Sequence, residues 1–251
     1  DYVRVPVDSL LAPESIAALC ASVDPERATP SGLLHKELQP LREGDHTTHI
    51  VVLDGKGNAV SVTTTLNSSY GSMYVVPGTG ILLNNEMDDF AVKPGSPNQF
   101  GLLGSEANSI VPGKRMLSSM TPTIVLRDGA PVLLTGSPGG SRIITSVLQT
   151  VLNVLQLGMR LDSAIAMPRI HHQWYPEHVE YERGALRPEV IEQLRARGHS
   201  MKECAEFGRV EGIYFDAASG IMQGCSDTRG YGHAQAVGGR GNRSEPRRRG
   251  K

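Results

Sequence analysis

The stretch His46-Thr47-Thr48-His49-Ile50-Val51-Val52-Leu53-Asp54 decides how the rest of the chain is read. An apolar, β-branched run of the kind that forms a buried strand starts directly after a pair of threonines. The segment before it carries Pro30, Gly32, Pro40 and Gly44. These keep the lead-in irregular and accessible, which suits a cleavage site better than a core element. Thr47 therefore places a hydroxyl at the head of a core strand. Cleavage of the His46–Thr47 bond would also give it a free α-amino group, so one residue would supply both nucleophile and base.

Working outward, residues 48–54 and 58–66 read as a β-hairpin turning at Gly55-Lys56-Gly57, where glycines supply the positive φ of a tight turn. The second run is polar enough on one face to line a site. Another hairpin is expected from Thr123–Leu126 and Pro131–Leu134, turning at Asp128-Gly129, and a last one from 209–216 and 221–225. Between the first two lies a loop-rich region, residues 68–118; a loop of that length in a compact domain is read as ordered and functional.

A helix is expected from about Asp8 to Val23, with Pro13 near its first turn. The clearest helix spans Ser141 to Leu157, with Ile143, Ile144, Val147, Leu148, Val151, Leu152, Val154 and Leu155 forming a wide apolar stripe suited to packing on a sheet. Gly158 is its expected C-cap. Shorter helices follow at Leu161–Met167 and from about Arg187 to Arg197, the latter ended by Gly198. Strand pairs, then helices, then strand pairs indicate an α+β layered sandwich rather than a wound βαβ sheet.

Composition narrows the function classes. The 251 residues are 39% hydrophobic and 20% charged with a formal net charge of -1, an ordinary globular balance with no general attraction to nucleic acid or anionic membrane. No run approaches the ~20 apolar residues a membrane span needs. Cys20, Cys204 and Cys225 form no CxxC pair, so neither a metal knuckle nor a disulfide framework is indicated. The Gly- and Arg-rich segment 229–251 lacks hydrophobic periodicity and reads as a disordered, atypical tail.

Four constellations have chemical content. Gly136-Ser137-Pro138-Gly139-Gly140-Ser141-Arg142 joins a strand to the main helix, where converging backbone N–H groups and the helix N-terminus can stabilise an oxyanion or hold a phosphate; an ordinary turn is the alternative. Glu86, Asp88 and Asp89, beside Asn84 and Asn85, lack EF-hand alternation. They form either a grip for a substrate ammonium group or a solvated acidic loop. Ser118-Ser119 can donate to a carboxylate or serve as turn residues. His171-His172 point apart on any regular element and have no third ligand at matching spacing, so they read as structural. No Gly-x-Ser-x-Gly elbow is present.

Taken in order, Thr47-Thr48-His49, Thr65-Leu66-Asn67, Gly80 through Phe90, Pro112-Gly113-Lys114-Arg115, Leu117 through Thr123 and Gly136 through Arg142 resemble the small subunit of a bacterial γ-glutamyltranspeptidase, an N-terminal-nucleophile hydrolase. The resemblance covers about residues 47–228, with 1–46 similar to the end of that family's large subunit. It implies a four-layer αββα sandwich, partial here because most of the large subunit is absent. It also implies self-cleavage before Thr47 and γ-glutamyl transfer from glutathione or a related donor to an amino acid, a dipeptide or water, with no cofactor and no metal. By resemblance Thr47 is the nucleophile, Thr65 its hydrogen-bond partner, and Gly139 and Gly140 the oxyanion hole. Asn67, Glu86 and Asp89 would bind the substrate α-amino group, and Ser118 and Ser119 its α-carboxylate. Residues 91–104 match a lid, with Phe100 where many bacterial members carry Tyr. The implied partner is a large subunit from the same precursor, and the implied location is periplasmic or extracellular. The alternatives are a cephalosporin acylase-like amidase and a non-catalytic remnant that binds partners or ligand.

Overall fold

The computed structural model describes residues 4–31, 47–96, 98, 104–217 and 219–237. The central hairpin is β1 (Thr47–Leu53) and β2 (Ala59–Thr65), antiparallel from Thr47↔Thr65 to Leu53↔Ala59. The strands β3 (Thr123–Arg127) and β4 (Ala130–Gly136) form the second expected hairpin, its turn at Asp128-Gly129 taking the positive φ both residues show. Three short strands were not foreseen: β5 (Ile170–His171), β6 (Val179–Glu182) and β7 (Met201–Cys204) form a separate sheet in that order. The last hairpin, β8 (Glu211–Asp216) and β9 (Ile221–Ser226), joins the second to give a four-stranded antiparallel sheet ordered β3-β4-β8-β9.

The expected N-terminal helix is two helices, α1 (Val7–Leu11) and α2 (Pro13–Ser22). The break falls at Ala12, which is extended at φ -61° and ψ 137°. The pyrrolidine ring of Pro13 disfavours α backbone in the residue before it while suiting the first turn of a new helix. The main helix, α3 (Arg142–Leu155), is followed by Gly158 in the left-handed region at φ 66°. The helices α4 (Leu161–Ala166) and α5 (Pro188–Ala196) lie where periodicity placed them.

Layering follows from strand alternation. Leu133 on β4 packs with Val154, Leu161, Ala164, Ile165 and Val210 in the core under α3 and α4. Its neighbours Leu134 and Gly136 belong to the opposite face, where Gly136 meets the buried ring of His49 on β1. Helices, four-stranded sheet and β1–β2 hairpin thus stack as three layers, the α+β sandwich expected. The fourth, helical layer is not among the described residues. The outer face of the hairpin is apolar and open: Ile50, Val52, Val60 and Val62 are all exposed. The wide stripe on α3 is only half covered, since Ile143, Val147 and Val154 are buried while Ile144, Leu148 and Leu152 are exposed.

Candidate active site

The open end of the β1–β2 hairpin carries Thr47 and Thr65 as a cross-strand pair, and the Thr47 hydroxyl donates to Thr65 Oγ1 at 3.2 Å. Thr65 Oγ1 in turn accepts from the backbone N–H of Asn67 at 2.9 Å. Asn67 is buried and adopts φ 72°, a left-handed conformation that Asn tolerates better than most residues. That bend turns the chain off β2 and lets the Asn67 amide donate to Asn85 O at 3.2 Å. Asn85 completes the link, accepting from Ser68 N–H at 2.9 Å and donating to Ser68 Oγ at 3.0 Å.

The acidic loop is therefore fastened to the hairpin as a 3-10 helix, Glu86–Asp89. Burial raises the pKa of Glu86, and its Oε1 is buried with no hydrogen-bond partner among the described residues. Asp89 is pushed up to about 6, first by burial and then by the neighbouring charges of Glu86 and Asp88. A solvated acidic face would carry neither perturbation. Partly desolvated carboxylates lining a cavity are suited to receiving a cation.

Asn108 ties this loop to the next segment. Its amide donates to Asp89 O at 2.7 Å, its Oδ1 accepts from Leu117 N–H at 2.9 Å, and its carbonyl accepts from Ala91 N–H at 2.9 Å. Ser118 and Ser119 follow directly. Ser118 Oγ accepts from Met120 N–H at 3.1 Å in a turn, and Ser119 Oγ donates to Gly140 O at 3.3 Å.

The Gly-rich turn sits between β4 and α3. Gly139 has φ 132° and Gly140 φ 56°, both in the region that favours glycine. Their carbonyls accept from the N–H groups of Arg142 (3.1 Å) and Ile143 (3.2 Å), while among the described residues their own N–H groups have no protein acceptor. Gly208 backs the turn, its Cα close enough to lie 3.5 Å from a Cβ placed on Gly139.

Thr47, Thr65, Asn67, Glu86, Asp89, Ser118, Ser119 and Gly140 all line one cavity of about 350 Å³. Gly139 adjoins it through Gly140, and Phe100 lies outside the described residues. Asn85 serves as a tie outside the lining and Asn108 both ties and lines the cavity; their roles had no local sequence signal beyond amide content. Gln173, two residues after His171, also lines the cavity and has no motif signal in the sequence. His171 is buried and hydrogen-bonded to Thr145 and Gln173, as packing predicted.

The family profile of gamma-glutamyltranspeptidase matches residues 1–237. The chain belongs to the gamma-glutamyltranspeptidase family. It is 43% identical over 229 residues to a glutathione hydrolase proenzyme of Escherichia coli, covering 91% of this chain and 39% of that protein. The chain thus spans about two fifths of the length of that curated relative. Among solved structures it resembles a gamma-glutamyltranspeptidase from Pseudomonas nitroreducens complexed with L-DON, at 45% identity and a TM-score of 0.71, covering 76% of this chain and 100% of that one. A cephalosporin acylase from Bacillus halodurans superposes with a TM-score of 0.76 at 25% identity, covering 94% of this chain and 40% of that one. The fold is accordingly that of the N-terminal-nucleophile hydrolases of this family. Among the described residues, no helix is long and apolar enough to cross a membrane.

Proposed function

We propose that this chain is the nucleophile-bearing part of an enzyme that cleaves γ-glutamyl amides, glutathione among them, and passes the acyl group to water, an amino acid or a dipeptide. The observation that supports this most directly is the convergence of Thr47, the Asn67–Glu86–Asp89 set, Ser118-Ser119 and Gly140 on one cavity. A γ-glutamyl group has an α-ammonium, an α-carboxylate and a γ-carbonyl, and the cavity holds a chemically matched group for each.

After cleavage before Thr47, its α-amine takes the hydroxyl proton as Oγ1 attacks the γ-carbonyl. The N–H groups of Gly139 and Gly140 receive the developing oxyanion. Collapse breaks the C–N bond, and the α-ammonium returns its proton to the departing amine. A γ-glutamyl ester on Thr47 remains. Water or an acceptor amine then attacks the ester, loses a proton to the same α-amine, and frees the Thr47 hydroxyl. Thr65, bonded to Thr47 Oγ1, holds the nucleophile in line. The large subunit of the precursor completes the pocket, and a periplasmic or extracellular location fits the family.

The likeness to the cephalosporin acylase supports a second reading, an amidase acting on a glutaryl side chain. Glutaryl differs from γ-glutamyl by lacking the α-ammonium, so it leaves Glu86 and Asp89 without a counter-charge. The test is the chain supplied with a large subunit, followed by intact mass and by release from γ-glutamyl and glutaryl p-nitroanilides. A split at His46/Thr47 with γ-glutamyl release is expected. Thr47→Ala protein that stays uncleaved yet turns over substrate removes the mechanism, and preference for the glutaryl compound favours the acylase reading. A folded, uncleaved wild type without turnover identifies a binding remnant.

A further inference from the structure

Ser141 stands at the N-cap of α3, where a serine hydroxyl ordinarily accepts from the first turn's N–H groups. Here it makes no such cap. The Ser141 side chain is buried, and its hydroxyl instead donates to Gln173 Oε1 across the loop after β5. The same oxygen is within 3.0 Å of His171 Nε2, while the Gln173 amide donates to Tyr175 O at 3.1 Å. The Tyr175 bond fixes which end of the Gln173 side chain is oxygen, and an amide oxygen only accepts. An Nε2 proton on His171 fits that accepting oxygen, with Nδ1 2.8 Å from the Thr145 hydroxyl, which also lies 3.2 Å from Arg142 O. Burial lowers the pKa of His171, in keeping with a neutral ring in that tautomer.

The chain of contacts runs from Thr145 on α3, through His171 and Gln173, back to Ser141 at the start of the same helix. It closes a ring around the residue that directly follows Gly140. The Gly140–Ser141 peptide is thereby held from both sides, its carbonyl by Ser119 Oγ and Ile143 N–H and its serine side chain by Gln173. Two adjacent glycines are the least restrained backbone in the turn, and a donor pair for an oxyanion must be fixed before the charge develops.

We propose that Gln173 is a positioning residue for the Gly139–Gly140 oxyanion turn, acting through Ser141. This rests on the γ-glutamyl reading above. Truncation of Gln173 lets the turn relax, so the oxyanion donors lose alignment while the ammonium and carboxylate grips stay in place. The effect belongs on kcat and on tetrahedral adducts, and KM and ground-state ligands should be spared. Ser141 and Gln173 should behave as one unit.

The experiment uses the chain assembled with its large subunit. It compares wild type, Gln173→Ala, Gln173→Glu, Ser141→Ala and the Ser141→Ala/Gln173→Ala double variant. Readouts are kcat and KM for γ-glutamyl p-nitroanilide, affinity for a boronic acid that forms a tetrahedral adduct at the nucleophile, and affinity for glutamate. Gln173→Ala should lower kcat and boronate affinity by about ten- to a hundredfold, with glutamate affinity and KM within about threefold, since a displaced oxyanion donor loses part of the full donor's effect. Ser141→Ala should match it, and the double variant should be no worse than either. Gln173→Glu keeps an accepting oxygen for Ser141 but loses the donor to Tyr175 O, so it should recover only part of the loss. Equal loss of boronate and glutamate affinity, additive single variants, or a Gln173→Ala enzyme with wild-type kcat each overturn the inference alone. Wild type that forms no boronate adduct and no product overturns the γ-glutamyl reading beneath it.

Discussion

Replacing Gly136 by alanine tests how the strand that carries Thr47 is seated. The backbone of Gly136 is ordinary strand at the end of β4, without positive φ, so the requirement for glycine is one of space. A Cβ there would fall on the imidazole of His49, facing Cε1, Nε2 and Nδ1 at once. The overlap is about 1 Å or more relative to an ordinary carbon contact near 3.5 Å. The ring has little freedom to yield, because Nδ1 is 2.8 Å from Thr63 Oγ1 and Nε2 is 3.3 Å from Ser61 Oγ. Ser61 itself donates to Thr135 O at 3.2 Å, bridging the two sheets. Overpacking ordinarily costs about 1–3 kcal/mol, and loss of the ring's hydrogen bonds adds roughly 1 kcal/mol each. Gly136→Ala should therefore cost about 3 kcal/mol in urea unfolding. The alternative to local unfolding is a hairpin displaced by about 1 Å, which carries Thr47 away from Gly140; misplacement on that scale costs on the order of a hundredfold in kcat. The control is His49→Ala, which removes the obstruction: in that background Gly136→Ala should cost under about 1 kcal/mol, a coupling of roughly 2 kcal/mol. Equal urea midpoints for Gly136→Ala and wild type would falsify the packing argument, as would a cost that persists without the His49 ring.

Three further predictions concern charge. Burial and the charges of Glu86 and Asp88 push Asp89 up to about 6, and the proposed grip on an ammonium needs the ionised carboxylate, so KM for a γ-glutamyl donor should rise as pH falls below about 6, by at most tenfold per unit; Asp89→Asn should bind weakly and without that pH dependence, and a wild-type KM flat from pH 7 to 5 contradicts the proposal. Burial lowers His49 from 6.5 to about 4, so the folded state takes up its proton later than the unfolded one. That stability is fully present above pH 6.5 and is lost as pH falls from 6.5 through 4, with an upper bound of about 3 kcal/mol. His49→Gln should be less stable than wild type at pH 8 but should lose less on acidification to pH 4.5, as read by urea midpoints. Burial pushes the Asp227 carboxyl up, yet the Arg169 guanidinium at 2.5 Å overrides it and holds the pKa below the usual range; Asp227→Ala should cost about 3–5 kcal/mol by leaving Arg169 buried and unpaired, and a urea-derived loss under about 1 kcal/mol removes that account.

What the chain conceals in one dimension follows a pattern. The hairpins and α3 are legible because their apolar periodicity and Gly-bearing turns agree with each other. The strands β5–β7 are not, because they are two to four residues long and β6 reads Val179-Glu180-Tyr181-Glu182, a charged sequence depleted in strands generally. Glu180 and Glu182 are nonetheless buried, since partners distant in the chain satisfy them: Arg142 and Lys202 at Glu180, and at Glu182 Arg229, 47 residues away. Composition assigned Arg229 to a disordered tail. In the fold, its guanidinium is bonded to Glu182 at 2.7 Å and Asp227 at 3.0 Å, with the side chain only 6% exposed. The same holds for the acidic loop, where carboxylate spacing left a solvated face and a ligand grip equally open. The ties through Asn85 and Asn108 fasten the loop that holds the half-buried Glu86 and Asp89, and amide ties have no spacing rule.

The meeting of the candidate site residues at one end of the hairpins, by contrast, was implicit in strand order. In an antiparallel hairpin the first residue of one strand lies beside the last of the next, so Thr47 at the start of β1 must meet Thr65 at the end of β2. By the same rule the segment entering β3 must meet the segment leaving β4, and Thr123 pairs with Thr135. Ser118-Ser119 enter β3 and Gly139-Gly140 leave β4, which makes the Ser119–Gly140 contact a consequence of topology. Stacking the hairpins with these open ends on the same side brings the hydroxyls, the serine pair and the glycine turn to one rim. His49 on Gly136 sets that alignment, because it joins the third residue of β1 to the last of β4. A slip of one residue in β1 would turn Thr47 and His49 together to the outer face, where Ile50 and Val52 now lie. The facing of Thr47, the proposed nucleophile, and of His49, which seats its strand, is thus specified by the same alternation.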